Sequence, residues 1–87
     1  MTFDQWIEAV DASVRSRLGA GVRTQELSWD SALWRGRNGT VVAALQDDER
    51  TAKLSFDAGD SLLLNVGETR PESAAGTIVE RLDSQKA

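Results

Sequence analysis

The chain contains no cysteine and no histidine. The first absence excludes disulfides, thiolate nucleophiles and sulfur-ligated metals. The second removes the commonest general base and the commonest zinc ligand. Lysine is nearly absent as well, with only Lys53 and Lys86 among 87 residues. No apolar run approaches the ~20 residues that span a bilayer. The first residues, Met1-Thr2-Phe3-Asp4-Gln5-Trp6, carry neither the basic region nor the apolar region of a secretion signal, so a cytoplasmic location is expected.

Other proportions are those of an ordinary folded chain. Apolar residues make up 40% and charged residues 28%, which separates the sequence from the disordered class. The length suits one domain, expected over residues 1–83 with a frayed tail at 84–87. Net charge is −4. Residues 1–46 balance, with Asp4, Glu8, Asp11, Glu26 and Asp30 against Arg15, Arg17, Arg23, Arg35 and Arg37, so the acidic excess lies in the second half. Direct nucleic-acid binding, which depends on clustered cations, is not expected of such a chain. The dominance of arginine over lysine matches the codon usage of GC-rich genomes and fits a bacterial or phage source.

Residues 3–18 place Phe3, Trp6, Ile7, Val10, Val14 and Leu18 on one helical stripe. Thr2 and Gln5 have the spacing of a capping box, and Gly19 and Gly21 supply a stop. Residues 22–29 fit either an extended link or an edge strand. From residue 31 the pattern predicts an antiparallel meander. A two-residue turn at Asn38-Gly39 would pair Trp34 with Ala43, and one at Asp48-Glu49 would pair Ala43 with Leu54. A three-residue loop over residues 57–59, with Gly59 left-handed, would pair Leu54 with Leu62. These turns put Ala32, Trp34, Val41, Ala43, Leu45, Ala52, Leu54, Phe56, Leu62, Leu64 and Val66 on one face. A last helix is predicted over 71–82, with Pro71 in its first turn, a capping box of Thr69 and Glu72, and an apolar stripe of Ala74, Ala75, Ile78, Val79 and Leu82. Nothing local accounts for Gly76 in this helix.

The expected fold is therefore α+β: a four-stranded, or five-stranded, antiparallel meander flanked by N- and C-terminal helices. Both helices should cover the same sheet face, because only one face is strongly apolar. The order helix, strands, helix resembles the double-stranded-RNA-binding domain in topology. That family reads phosphates through basic residues at the start of its last helix. The corresponding stretch here is Arg70-Pro71-Glu72-Ser73 with no lysine cluster after it, and the RNA-binding role is not implied.

No arrangement of residues suggests catalysis, a metal or a cofactor. Asp47-Asp48-Glu49 lacks the ligand spacing of a calcium loop. Asp57 and Asp60 read as turn-forming residues. The serines have no activating base beyond Lys53 or Lys86. The glycines form no phosphate-binding loop. A non-enzymatic interaction module or adaptor is thus expected, binding a protein partner or a second copy of itself. The surface predicted for this is the uncovered sheet face, through Trp29, Leu33, Arg35, Val42, Lys53 and Leu63, where apolar side chains are ringed by cations. An alternative is an acidic inhibitor whose second-half carboxylates block a basic nucleic-acid-binding partner.

Overall fold

The computed structural model describes residues 2–37 and 39–83. Helix α1 (Phe3–Leu18) is followed by a 3-10 turn (Gly19–Gly21) and five strands. These are β1 (Val22–Leu27), β2 (Ser31–Gly36), β3 (Val41–Gln46), β4 (Thr51–Phe56) and β5 (Ser61–Asn65), with helix α2 (Pro71–Leu82) last. The strands form one open antiparallel sheet in chain order. The ambiguous stretch after α1 is a strand, and Trp29 belongs to the tight β1–β2 turn, closed by the Ser28 N–H donating to the Ser31 carbonyl at 2.8 Å.

The helix boundaries follow from their caps. The hydroxyl oxygen of Thr2 accepts from the Gln5 N–H, while the Gln5 side chain accepts from the Thr2 N–H at 3.1 Å. This satisfies two of the donors that a helix start leaves unpaired. The second predicted capping box does not form. Arg70 caps α2 without a side-chain bond, and Pro71 at the first turn removes one donor that would need a partner. The Thr69 carbonyl accepts instead from Trp6 Nε1 at 2.9 Å, which ties the start of α1 to the segment entering α2.

Both helices lie on one side of the sheet. Trp6, Ile7, Val10 and Val14 of α1 and Ala74, Ala75 and Ile78 of α2 join Trp34, Val42, Ala44, Ala52 and Leu54 in one buried cluster. Beside this stripe Asp11 is also buried, at 4% exposure. Its Oδ1 accepts from Trp34 Nε1 at 2.8 Å and from the Thr24 hydroxyl at 2.7 Å. One carboxylate oxygen thus links α1 to the two strands beneath it.

The expected register is corrected at β3. Trp34 pairs with Val42 rather than Ala43, and Leu54 pairs with Ala44. Val42 and Ala44 therefore face the helices, while Val41, Ala43 and Leu45 point to the open side. Both flanking turns hold three residues rather than two. Gly36 pairs with Thr40, which leaves residues 37–39 as the connection, with Gly39 at φ +91°; Asn38, the other half of that turn signal, lies outside the described residues. Asp47 pairs with Thr51, and the Asp48 carboxylate accepts from the Arg50 N–H at 2.8 Å. One turn shifts the pairing one way and the other shifts it back, so only β3 is turned over. Residues 57–59 form the expected three-residue loop, with Gly59 at φ +98°. The side chains of Ala52, Leu54, Leu64 and Val66 lie on the expected face. Leu62 shares that face but remains 39% exposed at the sheet edge.

Candidate interaction surface

Antiparallel pairing lays the open face out in cross-strand rows. In one row Glu26 stands beside Leu33, Leu33 beside Ala43, and Ala43 beside Ser55. In the next, Leu45 stands beside Lys53 and Lys53 beside Leu63. A third row runs from Arg23 through Arg35 to Val41. Directly opposed side chains lie about 5 Å apart at Cβ, so each row is a line of contacting groups.

The sequence-predicted residues divide as follows. Leu33, Arg35, Lys53 and Leu63 occupy the open face, with Leu63 59% exposed. Trp29 is 72% exposed at the tip of the β1–β2 hairpin. Val42 does not belong to the surface: it is fully buried against the helices, because β3 is turned over. Val41, Ala43 and the 45% exposed Leu45 take its place. The resulting strip of Leu33, Val41, Ala43 and Leu45 crosses the middle of the sheet and continues past Lys53 to Leu63.

The arginines of this face gather at one corner, away from Lys53. Arg23 is directly opposite Arg35, and Arg37 joins them around a shallow cavity of about 390 Å³ floored by Gly21 and Gly36. Arg35 Nε donates to the Gln25 side chain at 3.2 Å. A register irregularity between Thr24 and Glu26 makes room for that glutamine on the same side of the sheet. Like charges placed directly across a strand pair are destabilising. No ion pair within 4.0 Å joins Arg23, Arg35 or Arg37 to a carboxylate among the described residues. Sequence reading missed Arg23 because the pairing of β1 was undetermined, and Arg37 because it lies in the β2–β3 turn; the offset that brings Arg23 to Arg35 follows only once residues 22–27 are a strand.

Apart from Glu26, the acidic groups of the strands and their turns lie off this face. Asp47, Asp48 and Glu49 sit at the β3–β4 turn, and Asp57 and Asp60 at the opposite end of the sheet, in the β4–β5 connection. The Asp60 carboxylate receives two hydrogen bonds from Arg81, one of them at 3.2 Å, which hold it below the usual carboxylate range. The Arg50 N–H does the same for Asp48. Among the described residues, no three carboxylates converge as a cation site. Nor is any helix among them long and apolar enough to cross a membrane. No family model, curated protein or solved structure matches this chain.

Proposed function

We propose that the protein is a non-enzymatic interaction module whose open sheet face receives an acidic, partly apolar segment of a protein partner. The observation that carries this reading is the Arg23–Arg35 cross-strand pair beside the uncovered Leu33, Val41, Ala43, Leu45 strip. Stacking two arginines side by side costs stability in the free protein. A carboxylate seated between them converts that cost into charge-assisted, bidentate hydrogen bonds. The apolar strip beside it supplies the water-excluding centre that an interface needs, and Lys53 and the arginines supply its rim. Trp29 at the end of the sheet is placed to close over one margin of a bound segment. In the alternative reading, as an acidic inhibitor, the carboxylates would have to act from both ends of the sheet at once.

The test is capture of partners from the native host with the wild-type chain, with Arg35→Glu, and with Asp47, Asp48 and Glu49 replaced by Asn, Asn and Gln. A partner kept by the triple variant and lost with Arg35→Glu supports the open face. A basic partner kept by Arg35→Glu and lost with the triple variant overturns it in favour of the acidic inhibitor.

A further inference from the structure

The two edges of the sheet are built differently. β1 is guarded: it carries Arg23 and Glu26, and its pairing is broken by an irregularity at Gln25. Charges and bulges of this kind prevent a strand from pairing with another chain. β5 has none of these protections. Its sequence Ser61-Leu62-Leu63-Leu64-Asn65 contains no charge and no proline, and its pairing with β4 is regular from Thr51–Asn65 to Ser55–Ser61. The helices also stop short of it. Leu62 is 39% exposed on the helix side, although its cross-strand neighbour Leu54 is fully buried.

We propose that β5 pairs antiparallel with β5 of a second copy of this chain, with the two-fold axis through Leu63, to give one continuous ten-stranded sheet.

The backbone fixes which residues can do this. The Phe56 N–H donates to the Asp60 carbonyl and the Val66 N–H to the Arg50 carbonyl. Hydrogen-bonded pairs alternate along an antiparallel ladder, so Leu62 and Leu64 direct their backbone groups toward β4. Ser61 and Leu63 direct theirs outward, and so does Asn65, although its carbonyl already accepts from the Glu68 and Thr69 N–H groups at 3.1 and 2.9 Å and only its N–H is left to donate. A two-fold axis at Leu63 brings those outward groups together: Leu63 exchanges both backbone bonds with its own copy, and the Asn65 N–H meets the Ser61 carbonyl of the other chain.

The side chains agree with the same register. The strand reads alike in both directions in polarity, so antiparallel self-pairing sets leucine against leucine and serine against asparagine, and no like charges meet. On the helix side, Leu62 of each copy gains Leu64 of the other, in the closer, non-hydrogen-bonded type of pair. On the open side the two Leu63 side chains meet and join the two apolar strips across the axis. Because β1 is guarded and the contact is isologous, association closes at two chains and does not propagate.

The contact is short, and it belongs with weak interfaces below about 1,200 Å². Sedimentation of the wild-type chain from micromolar to millimolar concentration should show a mass rising from 9.5 kDa toward twice that value. Leu62→Lys alters the helix side of the edge and leaves the open face intact. It should weaken dimerisation at least tenfold, with an unchanged circular dichroism spectrum and partner capture retained. The register is read with cysteines, which the chain otherwise lacks. Leu63→Cys sits about 5.5 Å from its copy at Cα, within disulfide reach. Ser61→Cys sits roughly 14 Å from its copy, beyond that reach. Under a glutathione redox buffer the former should cross-link at least tenfold faster. A wild-type mass fixed at one chain throughout, open-ended polymers, or equal cross-linking of the two cysteine variants would overturn the proposal. Capture with Arg35→Glu reports on the open face alone, so the two readings fail separately.

Discussion

Trp34 Nε1 and Asp11 Oδ1 meet at 2.8 Å in the interior of the protein, and the same oxygen accepts from the Thr24 hydroxyl at 2.7 Å. Every described buried side-chain nitrogen or oxygen has a partner, and this carboxylate supplies it for the buried Trp34 indole as well as for the part-buried Thr24 hydroxyl. Asp11→Ala would leave the Trp34 N–H buried without an acceptor, which costs about 1–3 kcal/mol for that group alone. Asp11→Asn keeps Oδ1 as a carbonyl oxygen and should lose no more than about 1 kcal/mol. Arg15, the ion-pair partner at 3.5 Å, has a 63% exposed side chain and contributes little. Equilibrium urea unfolding should therefore rank the wild type above Asp11→Asn, and Asp11→Asn above Asp11→Ala. An Ala variant as stable as the Asn variant would show that the hydrogen bonds to Oδ1 add nothing net.

The orientation of β3 gives a sharper contrast between neighbours. Val42 is fully buried beside Trp34 and Phe56, while Val41 is half-buried on the open face beside Arg35. Val42→Asp would bury a carboxylate with no partner and cost on the order of 3–5 kcal/mol, most of the stability of a small domain. Val41→Asp places the same group next to Arg35 and should change stability by less than about 1 kcal/mol. Thermal melts of the two variants at neutral pH separate these outcomes. An unfolded Val41→Asp beside a folded Val42→Asp would invert the register.

This reversal also shows how far the sequence could be read. The helices were legible to the residue, because each pairs a strong apolar stripe with a recognisable stop or first-turn proline. The meander was legible from Gly59 and from the alternation in β4, where Ala52, Leu54 and Phe56 are separated by Lys53 and Ser55. β3 was not, because Val41-Val42-Ala43-Ala44 is apolar at both parities and leaves the turns to decide. Asn38-Gly39 fits the end of a three-residue loop as well as a two-residue one, since either needs a glycine of positive φ. At the next turn the usable signal was Asp48 two residues before Arg50, the spacing at which an aspartate accepts from the backbone and lengthens the loop. Of the candidate surface, Leu33, Arg35, Lys53 and Leu63 followed from parity, whereas the arginine corner required the pairing of β1.

Gly76 has a spatial setting that no local pattern reveals. A Cβ built there would stand 3.2 Å from Arg17 Nη1, where the end of α1 passes α2. The same guanidinium donates to the Glu72 carbonyl at 3.5 Å. The obstacle is the tip of a long, exposed side chain, which can swing aside at small cost. Helix propensity favours alanine over glycine by about 1 kcal/mol. Gly76→Ala should therefore be neutral or stabilising by up to about 1 kcal/mol, and combining it with Arg17→Ala should recover the full gain. A clear loss of stability in the double variant would mean that something other than Arg17 requires the glycine.

Acid sensitivity should report on the Asp60–Arg81 pair. Arg81 grips the Asp60 carboxylate with two hydrogen bonds and lies 4.0 Å over the Phe56 ring, which anchors α2 to the β4–β5 connection. The guanidinium holds the folded-state pKa of Asp60 below its ordinary value. A depressed carboxylate pKa means that the unfolded chain binds the proton more readily, so the contribution is present in full above the ordinary carboxylate range. It declines as pH falls below about 4 and is gone once the folded-state value is passed. Asp60→Asn lacks this titration. The wild type should be the more stable of the two at pH 7, and the difference should shrink steadily on acidification. Arg81 keeps its contact with Phe56 in both proteins, so the comparison isolates the carboxylate. Unfolding curves for the pair between pH 7 and pH 2 test this, and a difference that stays constant across that range would remove the ion pair as its source.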